Sequence, residues 1–322
     1  MNLNAEVIVG DSRETLKTLP DKFVQCVVTS PPYWGLRDYG EGDQIGLEQS
    51  PSEFIEQLCL VFDEVWRVLK DDGTIWVNLG DSYAAMRDSK ATPDSLRVGE
   101  GTKVNAAANR NPVNPNAAGL KHKDLAGIPW RFAFAMQDRG WYLRQDIIWA
   151  KPNPMPESVT DRCTKSHEYI FLMTKKPSYF YNHEAIKEEA KTVPSVRDRS
   201  SERYQDSFTG GRFSEGARTF GSDDMKKNKR SVWNVPTSHY KDAHFATYPP
   251  ELIHPCILAG TKEGDIVLDP FSGSGTTGEV ALQNGRHYIG LELSADYAKL
   301  SEKRLTDAVG MLGNVIIRQE RD

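Results

Sequence analysis

An α/β fold, with a mostly parallel sheet covered by helices on both faces, is what this chain predicts, and three observations predict it. Short apolar runs of strand character alternate with amphipathic stripes of helical period along most of the 322 residues. One run, Ile266-Val267-Leu268, enters a loop carrying Gly273 and Gly275 that opens a helix and then a further strand. Another, Phe23-Val24-Gln25-Cys26-Val27-Val28, ends in Thr29-Ser30-Pro31-Pro32-Tyr33-Trp34, where two prolines lock φ and remove two backbone donors.

The elements follow in order. A short strand over 6–9 runs into Gly10-Asp11-Ser12, where Asp11 can cap a helix with Glu14, three residues on, completing a capping box. Residues 23–28 read as a buried strand. Over 53–69, Phe54, Leu58, Val61, Phe62, Val65, Val68 and Leu69 form one helical stripe. Gly73 breaks it, a strand covers 74–79, and Asp81 lies just past its end. A helix over 128–138 stops at Gly140. Strands over 143–149 and 167–174 flank Lys151-Pro152-Asn153-Pro154. An amphipathic helix over 251–259 precedes the strand at 266–268, the helix at 276–283 and the strand at 287–293. In such a sheet the carboxyl ends of the strands share an edge, so Asp11, Ser30, Asp81, Lys151, Asp269 and Glu292 should collect there.

Two segments carry chemistry. Ser30, before a proline, is pushed into an extended conformation. The strand therefore ends in a stiff elbow that offers a hydroxyl, carbonyl acceptors and two aromatic rings. Such an elbow can clamp a flat ring bearing an amine, with acceptors on the amine and an aromatic on the ring face. The bland reading is a proline-rich turn with a surface aromatic pair. In the second segment the glycines let backbone approach a ligand closely. Glu292 follows Gly275 by 17 residues, at the tip of the next strand, where a carboxylate can accept from both hydroxyls of a ribose. No Gly-Lys-Ser/Thr follows, which argues against a triphosphate cradle, and Gly278 is out of step with the dinucleotide fingerprint. Asp269, Pro270 and Phe271 point to a cofactor with an amino-acid portion, with Asp269 to take its ammonium group.

Asp269-Pro270-Phe271-Ser272-Gly273-Ser274-Gly275-Thr276-Thr277 resembles the S-adenosylmethionine loop of amino-methylating DNA methyltransferases, and Thr29–Trp34 resembles their catalytic motif. The catalytic motif precedes the cofactor loop, as in the circularly permuted β group, and the resemblance covers about 5–83, 121–182 and 232–309. It implies a Rossmann-like methyltransferase fold with an antiparallel final hairpin and an inserted target-recognition segment. It also implies that Asp11 holds the adenine amine of the cofactor, and that Tyr248-Pro249-Pro250 opens the helix before the cofactor loop. Ser30, Pro31, Pro32 and Tyr33 are the implied catalytic residues. The implied cofactor site is Asp11, Phe245, Asp269, Pro270, Phe271, Gly273, Gly275, Thr276 and Glu292. His244 and Phe245 are candidates for the methionine end, Phe245 equally for plain core. Ser at position 30, rather than Asp or Asn, implies cytosine N4 as the target, with adenine N6 the alternative. A cofactor- and DNA-binding module without catalysis is the alternative of another class. Pro255-Cys256 imitates the thiol dipeptide of ring-carbon methyltransferases but sits in a helix before the cofactor loop, so Cys256 reads as core.

Charge and composition set the partners. The net charge is −5, yet residues 191–230 carry ten basic against six acidic residues, with Tyr204, Phe208, Phe213 and Phe220 interleaved. That suits a DNA-reading segment, or a basic loop without a specific role. Trp34, Lys151, Arg212, Lys227 and Arg230 are the DNA-contact candidates; Trp149 reads as base pocket or core. The expected organisation is a catalytic half over 1–182 with a loop insertion at about 86–120, a target-recognition insertion over 183–231 and a cofactor half over 232–322. The 86–120 stretch lacks apolar periodicity and is a lid, a DNA-contacting loop or disorder. Four scattered cysteines without a Cys-x-x-Cys pair argue against a disulfide framework or a metal site and for a reducing cytoplasm. No apolar run of 18 residues or secretory pattern occurs. Double-stranded DNA is the expected partner; resemblance adds a homodimer and a cognate restriction endonuclease.

Overall fold

The computed structural model describes residues 3–35, 44–84, 119–189, 226–237, 248–310 and 313–320. Its elements run β1 (Asn4–Val9), α1 (Ser12–Thr15), β2 (Val24–Thr29), α2 (Pro51–Val68), β3 (Leu69–Leu79), α3 (Ile128–Asp138), β4 (Tyr142–Ala150), β5 (His167–Thr174), β6 (Glu188–Glu189) and β7 (Lys226–Lys227). β8 (Val232–Asn234), α4 (Pro250–Gly260), β9 (Ile266–Asp269), α5 (Thr276–Gln283), β10 (His287–Glu292), α6 (Ala295–Val309) and β11 (Asn314–Gln319) complete it.

Nine strands form one sheet in the order β11-β1-β10-β9-β2-β3-β5-β4-β8. β5 runs antiparallel to β3 and to β4, and the remaining pairings are parallel. The antiparallel hairpin is therefore β4–β5, in mid-chain, and the last strand, β11, lies parallel to β1. Residues alternate between two cores, as a pleated strand with both faces covered requires. Ile8, Val27, Val77 and Phe171 join one core with Phe54 and Phe62 of α2 and Phe132 of α3. Val7, Val28, Trp76 and Leu172 join the other with Leu252 of α4, Val280 of α5 and Leu305 of α6. β2 is buried along its whole length, which explains its unbroken apolar character.

Local signals set the ends of the helices. Ser50 caps α2 and Glu53 reaches back, a complete capping box with Pro51 in the first turn. At α1 the box expected of Asp11 and Glu14 is half made. Asp11 accepts from Arg13 N–H, whereas Glu14 pairs with Lys17. Pro250 opens α4. Gly278 allows α5 to lie against β10 and α6, since a Cβ there would be 2.5 Å from Tyr288 Cδ1 and 2.4 Å from Leu305 Cδ2.

β6 and β7 form a two-residue ladder, Glu188 opposite Lys227 and Glu189 opposite Lys226. The segment between them thus leaves and re-enters the described structure at one place. Among the described residues no helix is long and apolar enough to cross a membrane.

Candidate active site

The carboxyl ends of β1, β10, β9, β2, β3 and β4 share one edge, with the start of β5 beside them. Asp11, Glu292, Asp269, Ser30, Asp81 and Lys151 stand there. β2 and β9 are neighbours, Val27 opposite Leu268, so the proline elbow and the glycine loop leave the sheet side by side although 240 residues separate them.

Asp269 ties the two together. Its carboxylate is buried and accepts from Thr29 Oγ1 (2.6 Å), Thr277 Oγ1 (2.7 Å), Tyr248 OH (3.2 Å) and Phe271 N–H (3.0 Å). Burial pushes its pKa up, against the pull of these four donors. The expectation that Asp269 takes an ammonium group is therefore corrected. Both oxygens are committed to the frame, and the residue joins β2, β9, α5 and the start of α4.

The loop beyond it is built from backbone. Gly273 (φ 52°) and Gly275 (φ 79°) adopt conformations that only glycine enters without strain. A Cβ on Gly273 would meet no described atom closer than Phe271 O at 4.0 Å, so this side of the loop has room for a ligand. Glu292 Oε2 accepts from Gly273 N–H (2.7 Å) and Oε1 from Ser294 N–H (2.9 Å). Each carboxylate oxygen keeps acceptor capacity. Burial raises Glu292 to about 7, opposed by those two N–H groups. Asp11, at the tip of β1, holds the Arg13 guanidinium (Nε to Oδ1, 3.0 Å). Burial raises its pKa, but hydrogen bonds and charge from Arg13 prevail and leave it lowered. Ser12 Oγ donates to Pro270 O, fastening the β1 loop to the β9 loop.

On the elbow, Ser30 Oγ donates to Asn78 Oδ1 at a long 3.4 Å, and Asn78 Nδ2 is held by Tyr169 O (3.1 Å). Tyr33 OH donates to Glu168 Oε2 (2.6 Å), whose other oxygen pairs with Lys151 Nζ. Pro31 is buried and Pro32 partly so.

Other expected residues fall elsewhere. Trp34, expected on DNA, is 4% exposed in the core under α2, with its indole N–H on Glu48 O (3.0 Å). The turn at Gly35 directs that large ring inward, where it gains most. Trp149 is likewise core, donating to Val235 O (2.7 Å). Arg230 and Lys227 flank Glu188, at 2.9 and 3.9 Å, on the β6–β7 ladder rather than at the sheet edge. Asp81 caps α3 through Ile128 N–H (3.0 Å). Cys256 is buried in α4 and burial pushes its thiol well up, which disfavours the thiolate that a nucleophile needs. Phe245, His244, Arg212 and nearly all of 86–120 lie outside the described residues.

Three residues that brace the candidate site have no place in the sequence-based expectations. Asn78 and Glu168 sit in strands whose apolar neighbours dominate the pattern. Arg304 of α6 is buried and donates to Thr276 Oγ1 (2.7 Å) and Ser274 Oγ (3.0 Å), holding the glycine loop, while its Nε lies 2.8 Å from Glu279. Its signal was a charge on a stripe of Ala298, Ser301 and Leu305.

The chain resembles known proteins along nearly all its length. A family model described as DNA methylase matches residues 24–303. The type II methyltransferase M.Cfr9I of Citrobacter freundii is 48% identical over 301 residues, 94% of this chain and 87% of its own. M.SmaI of Serratia marcescens is 45% identical over 302 residues, 94% and 91% of the two chains. Among solved structures, the PvuII DNA methyltransferase, described as cytosine-N4-specific, matches with a TM-score of 0.62 at 20% identity, covering 98% of this chain and 95% of that one. A putative DNA modification methylase of Thermus thermophilus, complexed with S-adenosyl-L-methionine, matches at 0.58 and 23%, covering 97% and 99%.

Sheet order and strand-end loops thus define a Rossmann-like methyltransferase that uses S-adenosylmethionine. More particularly, the chain belongs to the N6/N4 DNA methylase family and is a DNA amino-methyltransferase of the type II kind.

Proposed function

We propose that the protein transfers a methyl group from S-adenosylmethionine to the exocyclic N4 of cytosine in double-stranded DNA. The observation that carries this reading is the adjacency of the Ser30 elbow and the Gly273–Gly275 loop on neighbouring strands, locked by the Thr29–Asp269 hydrogen bond (2.6 Å). The amine acceptor and the methyl-donor loop are thereby held in fixed relation before any substrate arrives.

Glu292 would accept the ribose hydroxyls, the open side of Gly273 would admit the chain next to the sulfonium, and Asp11 would face the adenine amine. S-adenosylmethionine supplies an electrophilic methyl group. An exocyclic amine is a weak nucleophile because its lone pair is delocalised into the ring. Ser30 Oγ and the Pro31 carbonyl would accept its two hydrogens and so favour the pyramidal nitrogen of the transition state. Asn78 takes the Ser30 hydroxyl hydrogen, which leaves lone pairs of Oγ for the amine. The amine is inaccessible within a duplex, so the base must be extruded onto Tyr33. The resemblance, in which Ser at this position goes with cytosine N4, supports cytosine over adenine.

The segment between β6 and β7 would read the recognition site, through Arg212 and its basic neighbours, with Lys227 and Arg230 at its exit. The names of the relatives support pairing with a restriction endonuclease, and the resemblance supports a homodimer, which sedimentation would test. Mass spectrometry of nucleosides from DNA incubated with protein and S-adenosylmethionine tests the target. N4-methylcytosine is expected; N6-methyladenine would transfer the same mechanism to the other base.

A further inference from the structure

Residues outside the proline elbow converge on Tyr33. Its phenol donates to Glu168 Oε2 at 2.6 Å, from the start of β5. Glu168 is paired with Lys151, and both side chains are mostly covered, at 12% and 18% exposure. The Lys151 ammonium also lies 4.2 Å from the ring centroid of the core residue Trp149. The tyrosine ring occupies space that a side chain at position 80 would need, for a Cβ on Gly80 would come within 2.6 Å of Tyr33 Cε2. Tyr33 is thus held at its hydroxyl and at its ring edge by the ends of β3, β4 and β5.

A buried carboxylate without a counter-charge would be costly, and pairing with Lys151 offsets part of that cost. Lys151 is committed to Glu168 and Trp149, which places it behind the tyrosine instead of on a phosphate. A ring fixed in advance need not be ordered when the base arrives, so the entropy of ordering it is not charged to binding or turnover.

We propose that Glu168 is a positioning residue for methyl transfer: it holds the Tyr33 ring as a preformed platform for the extruded base, with Lys151 neutralising it and Gly80 making room. The inference rests on the reading of Tyr33 as the stacking ring. A double-mutant cycle tests it. Tyr33→Phe, Glu168→Ala and the double variant are compared for tritiated methyl incorporation into a long unmethylated duplex, with kcat and KM for DNA separated. Thermal midpoints and calorimetric affinity for S-adenosylmethionine are measured alongside. Each single variant should lose roughly tenfold in turnover, as expected for a charge-assisted hydrogen bond, and the double should be no worse than the poorer single. Glu168→Gln retains an acceptor for the phenol and should stay within about threefold of wild type. Gly80→Ala should lower turnover with cofactor affinity unchanged. Losses that multiply in the double variant, or a glutamine variant as poor as alanine, would overturn the proposal. The cycle reads methyl incorporation whichever amine receives it, so an adenine product would revise the target base while leaving the Glu168 test intact.

Discussion

Glu292 offers the sharpest pH experiment. Burial raises it to about 7 in the ligand-free protein, against an ordinary value of 4.5. A raised carboxylate contributes stability that is complete below 4.5 and is lost as pH rises through 7, on the order of 3 kcal/mol across that window. If the cofactor's ribose hydroxyls donate to the ionised form, binding runs the other way. Roughly nine-tenths of the sites are ionised at pH 8 and one-tenth at pH 6, so the apparent Kd should weaken about tenfold between them, ~1.4 kcal/mol. Calorimetry of S-adenosylmethionine binding at pH 6, 7 and 8, in buffers of different ionisation enthalpy, would show this as a falling affinity and as proton release at the lower pH. Glu292→Gln serves as the reference, since it removes this titration and leaves that of the ligand. An identical pH slope in wild type and variant would refute the ribose role.

Ser30→Ala should lower turnover by about 10²-fold while S-adenosylmethionine affinity persists, since a transition-state contact is lost and a ground-state one is not; unchanged turnover would remove Ser30 from the clamp. Asp269→Ala removes the acceptor of three hydroxyls and one N–H in the interior, of which Thr29 Oγ1 and Phe271 N–H are left with no other partner among the described residues, and urea titration should show a loss of about 3 kcal/mol. Gly278→Ala forces a methyl group against Tyr288 and Leu305 and should cost roughly 1–3 kcal/mol by the same titration, with a weakened cofactor loop. Cys256→Ala should retain methyl transfer; loss of turnover in a folded variant would reopen the thiol route.

Much of this was legible in the sequence because the relevant signals are local. The stripe of Phe54, Leu58, Phe62 and Val65 marked α2, and the two-sided apolar run of 23–28 marked a strand with no exposed face. Proline and glycine announced both loops because few backbones tolerate them elsewhere. What was not legible depended on partners distant in the chain. Trp34 looked exposed because it follows a turn, and only the approach of α2 shows that it faces inward. Asp269 looked like a ligand to an ammonium group until Thr29, Tyr248 and Thr277 arrived from three other elements to fill it. α6 and β11 went unread because polar residues dilute their stripe and alternation. The antiparallel hairpin was expected at the end of the chain; β4–β5 forms it in mid-chain instead, and β11 is parallel to β1, because no sequence pattern tells one strand partner from another.

The position of β1 has a consequence for how the molecule comes into being. Its partners are β10 on one side and β11 on the other, so Ala5 faces Tyr288 and Val315. A strand made early must therefore wait, with both rows of backbone groups unpaired, until residues 287–319 have been synthesised. During translation the sheet can grow outward from β2 and β3, but the cofactor side cannot close. Until then β1 offers an open edge to chaperones or to neighbouring chains. A chain truncated between β9 and β10 would carry the Ser30 elbow without Glu292, which ends β10.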